Sequence, residues 1–98
     1  MLLPNLLFGQ LYAPSSFTPN ADGVNDAFIV SALDIYSPVL KIYNRWGRVV
    51  HYSLNLAPWD GNDGNGYYCD SGIYAWTIHY EDDKGLNHTE QGHIIMIR

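Results

Sequence analysis

Apolar and polar residues alternate along this chain in short runs, and no stretch sustains the three-to-four-residue spacing of an amphipathic helix. "PVLKIYNRW" (38–46) puts Leu40, Ile42, Asn44 and Trp46 on one face and Val39, Lys41, Tyr43 and Arg45 on the other, the period of a pleated strand. Gly47 and Arg48 then turn the chain into "RVVHYS" (48–53), so residues 38–53 read as a hairpin. "AFIVSA" (27–32) predicts a short strand ahead of it. "GIYAWTIHYED" (72–82) is the longest strand, with Tyr74, Trp76, Ile78 and Tyr80 on one face and Ile73, Ala75, Thr77 and His79 on the other. "DDKG" (82–85) predicts the next hairpin turn, with Gly85 at a positive φ, and leads to "HTEQGHIIMIR" (88–98), where Gly92 predicts a bulge. Residues 55–72, rich in Gly and Asx, read as loop.

Short strands parted by turn signals predict an all-β fold: a small antiparallel, immunoglobulin-like sandwich of about seven strands. Ninety-eight residues hold one core, and 47% hydrophobic residues exclude a disordered tail. Eight Tyr, three Trp and three Phe suit a pleated surface, and Trp46 and Trp76 are expected in the core. The opening "MLLPNLLFGQ" is broken by Pro4 and lacks a basic segment before it. Residues 1–11 therefore read as a linker or vector-derived segment rather than a signal peptide or membrane span, and 12–98 as the domain. Net charge is −5 with five Lys plus Arg, so a nucleic-acid partner is not expected, nor direct membrane insertion. Cys69 is a single cysteine and forms no internal disulfide.

Chemistry concentrates in "SFTPNADGVNDAF". Asn20, Asp22, Asn25 and Asp26 offer hard oxygens in a glycine-bent segment, which makes calcium a candidate cofactor. The same residues also suit a tight Asp22-Gly23 turn, with Asn20 and Asp26 accepting hydrogen bonds from nearby amides. "WDGNDGNG" (59–66) adds Asp60, Asn62 and Asp63. His51, His79, His88 and His93 lack the spacing of a zinc site. No nucleophile motif or phosphate loop occurs, so the reading is not an enzyme. Trp59 and neighbouring tyrosines could instead form a platform for sugars, which leaves a calcium-dependent or carbohydrate-binding surface module as the alternative.

Five blocks in order carry a resemblance. They are "FTPNADGVNDAF", "LKIYNRWGRVV", "WDG", "GIYAWTI" and "GHIIMIR", and together they resemble the gliding-motility-associated C-terminal domain, the type B sorting domain of the type IX secretion system. The first block is matched by Phe17, Thr18, Pro19, Asn20, Asp22, Gly23, Asn25 and Asp26, with Ala21 where glycine is usual. The second is matched by Ile42, Tyr43, Asn44, Arg45, Trp46 and Gly47, the third by Trp59, Asp60 and Gly61, and the closing strand by Ile94 to Arg98. The resemblance implies a non-catalytic address for a larger exported protein. Such a module folds in the periplasm, follows an N-terminal cargo region, and is read by outer-membrane proteins of the secretion machinery on the way to the cell surface or medium. The expected recognition surface is the final strand, His93, Ile94, Ile95, Met96, Ile97 and Arg98, offered as an open edge, with the loop at Asp22 to Asp26 beside it.

Overall fold

A computed structural model describes residues 6–8, 11–20, 23 and 25–98. Eight strands follow in order: β1 (Leu6–Phe8), β2 (Leu11–Ala13), β3 (Ser16–Phe17), β4 (Ser31–Ala32), β5 (Tyr36–Tyr43), β6 (Val49–Ser53), β7 (Gly72–Glu81) and β8 (Asn87–Met96). They form two sheets, a small one ordered β1-β2-β4 and a larger one ordered β3-β8-β7-β5-β6. Only Pro14 and Ser15 separate β2 from β3, so the chain crosses from one sheet to the other within a few residues. Apolar residues of both sheets meet in one core, which includes Leu11 and Ala13 from the small sheet and Leu40, Ile42, Ile78 and Ile94 from the large one. The architecture is a two-sheet sandwich, as the strand pattern predicts.

The alternation in β7 is realised as read: Tyr74, Trp76, Ile78 and Tyr80 are buried, and β5 contributes Leu40 and Ile42 to the same core face. Full burial of each such side chain contributes about 1.5–3 kcal/mol. The hairpins over 38–53 and 72–96 both form.

Several expectations change. The 27–32 strand shrinks to Ser31–Ala32. Phe28 and Val30 are buried and Ile29 exposed, so the alternation is correct, but Phe28 pairs only with Trp59, through two reciprocal backbone bonds of 2.8 and 3.1 Å. The sandwich is not wholly antiparallel, because β3 runs parallel to β8. Gly92 forms no bulge: β7 and β8 stay in register from Gly72↔Met96 to Glu81↔Asn87. Gly92 sits directly opposite Trp76, and a Cβ there would lie 2.6 Å from Trp76 Cζ2. Glycine is required because an indole lies over the strand, not because the strand kinks.

Candidate recognition surface

Four of the five sequence blocks meet at one end of the sandwich. Phe17 and Trp59 pack edge to face at 5.4 Å, and Trp59 meets Tyr74 the same way at 5.0 Å. The Trp59 indole N–H donates to the Asn62 carbonyl at 2.8 Å, and the Tyr74 hydroxyl donates to the Asp70 carbonyl at 2.6 Å. Gly61 adopts φ +88°, and a Cβ would fall 2.7 Å from Met96 Sδ, 2.9 Å from Arg98 Nη2 and 3.3 Å from Pro19 Cγ. "FTPN", "WDG" and the closing strand therefore touch through the space that Gly61 leaves open. Trp59 is buried, which overturns its reading as a sugar platform.

Arg98 ties this joint to the loop above it. Its Nη2 donates to the Gly61 carbonyl at 2.6 Å, its Nε to the Cys69 carbonyl at 2.8 Å, and its backbone N–H to Ser71 Oγ at 2.9 Å. The guanidinium also lies 4.6 Å from the Tyr68 ring centroid. Four contacts from one side chain and its amide fix residues 61–71 against β8. An unpatterned loop and a single terminal cation gave the sequence no signal for this latch.

One turn is built three times. In Asn44-Arg45-Trp46-Gly47-Arg48 the Asn44 side-chain oxygen accepts from the Trp46 and Arg48 amides at 2.9 and 3.0 Å. The Asn44 carbonyl accepts from Gly47 N–H, and Asn44 N–H donates to the Arg48 carbonyl. Asp63 makes the same four bonds with Asn65, Tyr67 and Gly66, and Asp82 makes them with Lys84, Leu86 and Gly85. The third residue after each Asx is a glycine at φ +81°, +85° or +78°. Every conformational demand is met by the Asx and the glycine, so the intervening side chains are free.

That freedom corrects the placement of Trp46. It is 78% exposed rather than buried, because the turn starts at Asn44 and ends the strand alternation there. Arg45 stacks on its indole at 5.0 Å. Opposite this tip, across a cleft of about 230 Å³, stand Asp63, Tyr68, Cys69, Asp70 and Ser71, with Ile73 and Tyr74 at its base. Tyr68 and Ile73 are 76% and 61% exposed. Burial, then the nearby Asp63 carboxylate, pushes the Cys69 thiol up, which keeps it protonated and unreactive; burial also raises Tyr74.

Asp22 and Ala21 lie outside the described residues. Asn20 and Asn25 are exposed, with Asn25 at φ +51°, and Asp26 Oδ2 accepts the Gly23 amide at 2.7 Å, a turn-closing bond. Thr18 N–H donates to the Asn25 carbonyl at 2.7 Å, which closes the base of that loop. Asp60 accepts from Asn62 N–H and Nδ2. Among the described residues no group of three His, Cys, Asp or Glu could hold a metal ion. In the closing strand His93, Ile95 and Ile97 face outward, Ile94 and Met96 are wholly buried, and Arg98 beyond them is folded onto residues 61–71. The open edge expected there is occupied: the Ile95 and Ile97 amides donate to Ser15 and Phe17 carbonyls at 3.0 Å each.

A family model described as the CHU_C type IX secretion signal domain matches residues 11–96. No curated protein matches the chain. Among solved structures, the chain is similar to PorZ, described as an essential bacterial surface component of the type IX secretion system of the human oral bacterium Porphyromonas gingivalis. The TM-score is 0.62 at 20% identity, over 90% of this chain and 11% of that one. The chain thus spans about a tenth of the length of that structure, and the likeness is one of fold.

Proposed function

The chain belongs to the type IX secretion signal domain family, and from that footing we propose that it works as a folded address, docked by outer-membrane proteins of the secretion machinery while its cargo waits in the periplasm. The sorting role and the destination, cell surface or medium, come with the family. The step proposed is that recognition reads a surface rather than a linear tail. One observation carries it: Ile94 and Met96 of the closing strand are completely buried, and the strand's amides at Ile95 and Ile97 already pair with the first block. A receptor cannot contact those groups without dismantling the core.

No chemical step is needed for this role. The Cys69 thiol is held protonated, and Asp60 and Asp63 spend carboxylate oxygens on backbone amides of their own loop. The domain acts by binding, and calcium, if held by the first loop, would serve that loop's shape.

The test is a reporter fused ahead of the chain and expressed with an export signal in a bacterium bearing the system. Export is expected with the intact domain, with retention in the periplasm when a core substitution such as Ile78→Asp unfolds it. Undiminished export of the unfolded fusion would sink the folded-address reading and point to a linear signal.

A further inference from the structure

We infer that the cleft between the Arg45–Trp46 tip and the Tyr68–Ser71 segment, continued onto Ile73 and Ile95, docks an extended segment of a protein partner that alternates acidic and apolar residues. The inference rests on the folded-address reading and specifies the surface through which it operates.

Arg45 and Trp46 do nothing for the turn that carries them, since Asn44 and Gly47 make its bonds and supply its positive φ. A large indole that is 78% exposed on a fully hydrogen-bonded turn is placed to contact a partner. Its cation is already in place: Arg45 rests on the ring, so little side-chain entropy remains to be lost on binding. Arg48 emerges from the same turn into the same cleft. Ile73, which lines the cleft, is directly paired with Ile95 across β7 and β8, and both face solvent, extending the cleft as an aliphatic floor.

Charge selects the occupant. Three of the five Lys and Arg side chains, Arg45, Arg48 and Arg98, stand at this end beside Asp63 and Asp70, whereas the opposite tip carries Glu81, Asp82 and Asp83 against one cation, Lys84. Single carboxylates are therefore better placed beside the arginines of this end than at the other. Asp63 and Asp70 on the far wall disfavour a dense polyanion, which would meet them as well as the arginines. Spaced carboxylates with apolar residues between them fit both the arginines and the Trp46, Ile73 and Ile95 surface, and the two-residue period of an extended chain supplies that spacing.

The experiment uses the full chain with a fluorescein-labelled peptide of alternating Glu and Leu, its Lys/Leu counterpart, and dextran sulfate. The Glu/Leu peptide is expected to bind and to shift the Trp46 indole N–H and the Ile73 and Ile95 methyl signals in NMR spectra. Trp46→Ala and the pair Arg45→Glu, Arg48→Glu should each weaken it at least about tenfold while the melting temperature stays put. Equal binding of the Lys/Leu peptide, tighter binding of dextran sulfate, shifts elsewhere on the domain, or no binding would each overturn the proposal. In the export fusion, the same folded variants should lower the exported fraction. If they are exported like the parent, the docking surface is wrong and the address reading stands; if the parent fusion itself is not exported, both fall.

Discussion

The two hairpins of the large sheet share a turn and differ in everything around it. At both tips an Asx side chain accepts two amides and a glycine takes the left-handed conformation. The β7–β8 hairpin is the spine of the sandwich: its strands pair continuously over ten residues and bury Tyr74, Trp76, Ile78 and Ile94. The β5–β6 hairpin lies at the sheet's margin, with β6 as an edge strand and a register shift between Ile42 and Tyr43. The spine's tip carries Glu81, Asp82 and Asp83 with one cation, Lys84, and the marginal tip carries Arg45, Trp46 and Arg48. A turn whose geometry depends on two residues lets the rest of its sequence vary, and here the variation separates a structural hairpin from a contact hairpin.

Substitutions that break this contrast fall hardest on the spine. Gly92→Ala drives a methyl into Trp76, which is buried and cannot swing away, and should cost about 2–4 kcal/mol, read as a lower denaturation midpoint. The marginal hairpin contains no equivalent approach among its described residues. A loss below 1 kcal/mol would mean that the indole repacks freely, and the claim of a fixed spine would fail.

Next come the turns themselves. Asn44→Ala frees two amides and should cost about 1–2 kcal/mol, and Asp82→Ala frees the corresponding two. Asp82→Ala should cost more, since Asp82 also accepts from His88 at 2.8 Å. Gly47→Ala, which meets no neighbour but sits at φ +81°, should cost about 1 kcal/mol from backbone strain alone. Urea denaturation of the set ranks them. Equal costs for Asn44→Ala and Asp82→Ala would show that the His88 bond adds nothing.

Strand periods were legible in this sequence wherever both faces of a strand kept their environment, as in 72–82. They misled where a side-chain acceptor cut the strand short. Asn44 looked like a polar member of an alternating face, and counting past it placed Trp46 in the core. The Asx-x-x-Gly spacing that would have stopped the count occurs four times in plain view, at Asn20/Gly23, Asn44/Gly47, Asp63/Gly66 and Asp82/Gly85, and the last three close this turn. Gly92 was recognisable as special, but the reason was an indole sixteen residues away in sequence and opposite in register, and cross-strand register is a tertiary fact. The same holds for Gly61 and Arg98, whose partners come from three separate blocks. The resemblance supplied the family and its role, but a motif does not say which of its residues face outward.

The smallest effect separates the two tips by pH. The His88 hydrogen bond, aided by the Leu86 amide, holds the Asp82 carboxyl down at about 2 from its ordinary 3.8. Because its pKa in the folded chain lies below the unfolded value, the stabilisation is complete above about pH 4 and is lost as pH falls through about 2. Asn44 accepts the matching bonds without a proton to gain, so the β5–β6 tip has no such dependence. Amide hydrogen exchange compared across that acid window should rise at Lys84 and Leu86 relative to Trp46 and Arg48, after correction for the intrinsic rates. Asp82→Asn should remove the difference, turning one tip into a chemical copy of the other. If exchange at the two tips responds to acid alike, or the asparagine variant keeps the contrast, then the shared turn is not what holds the β7–β8 tip together.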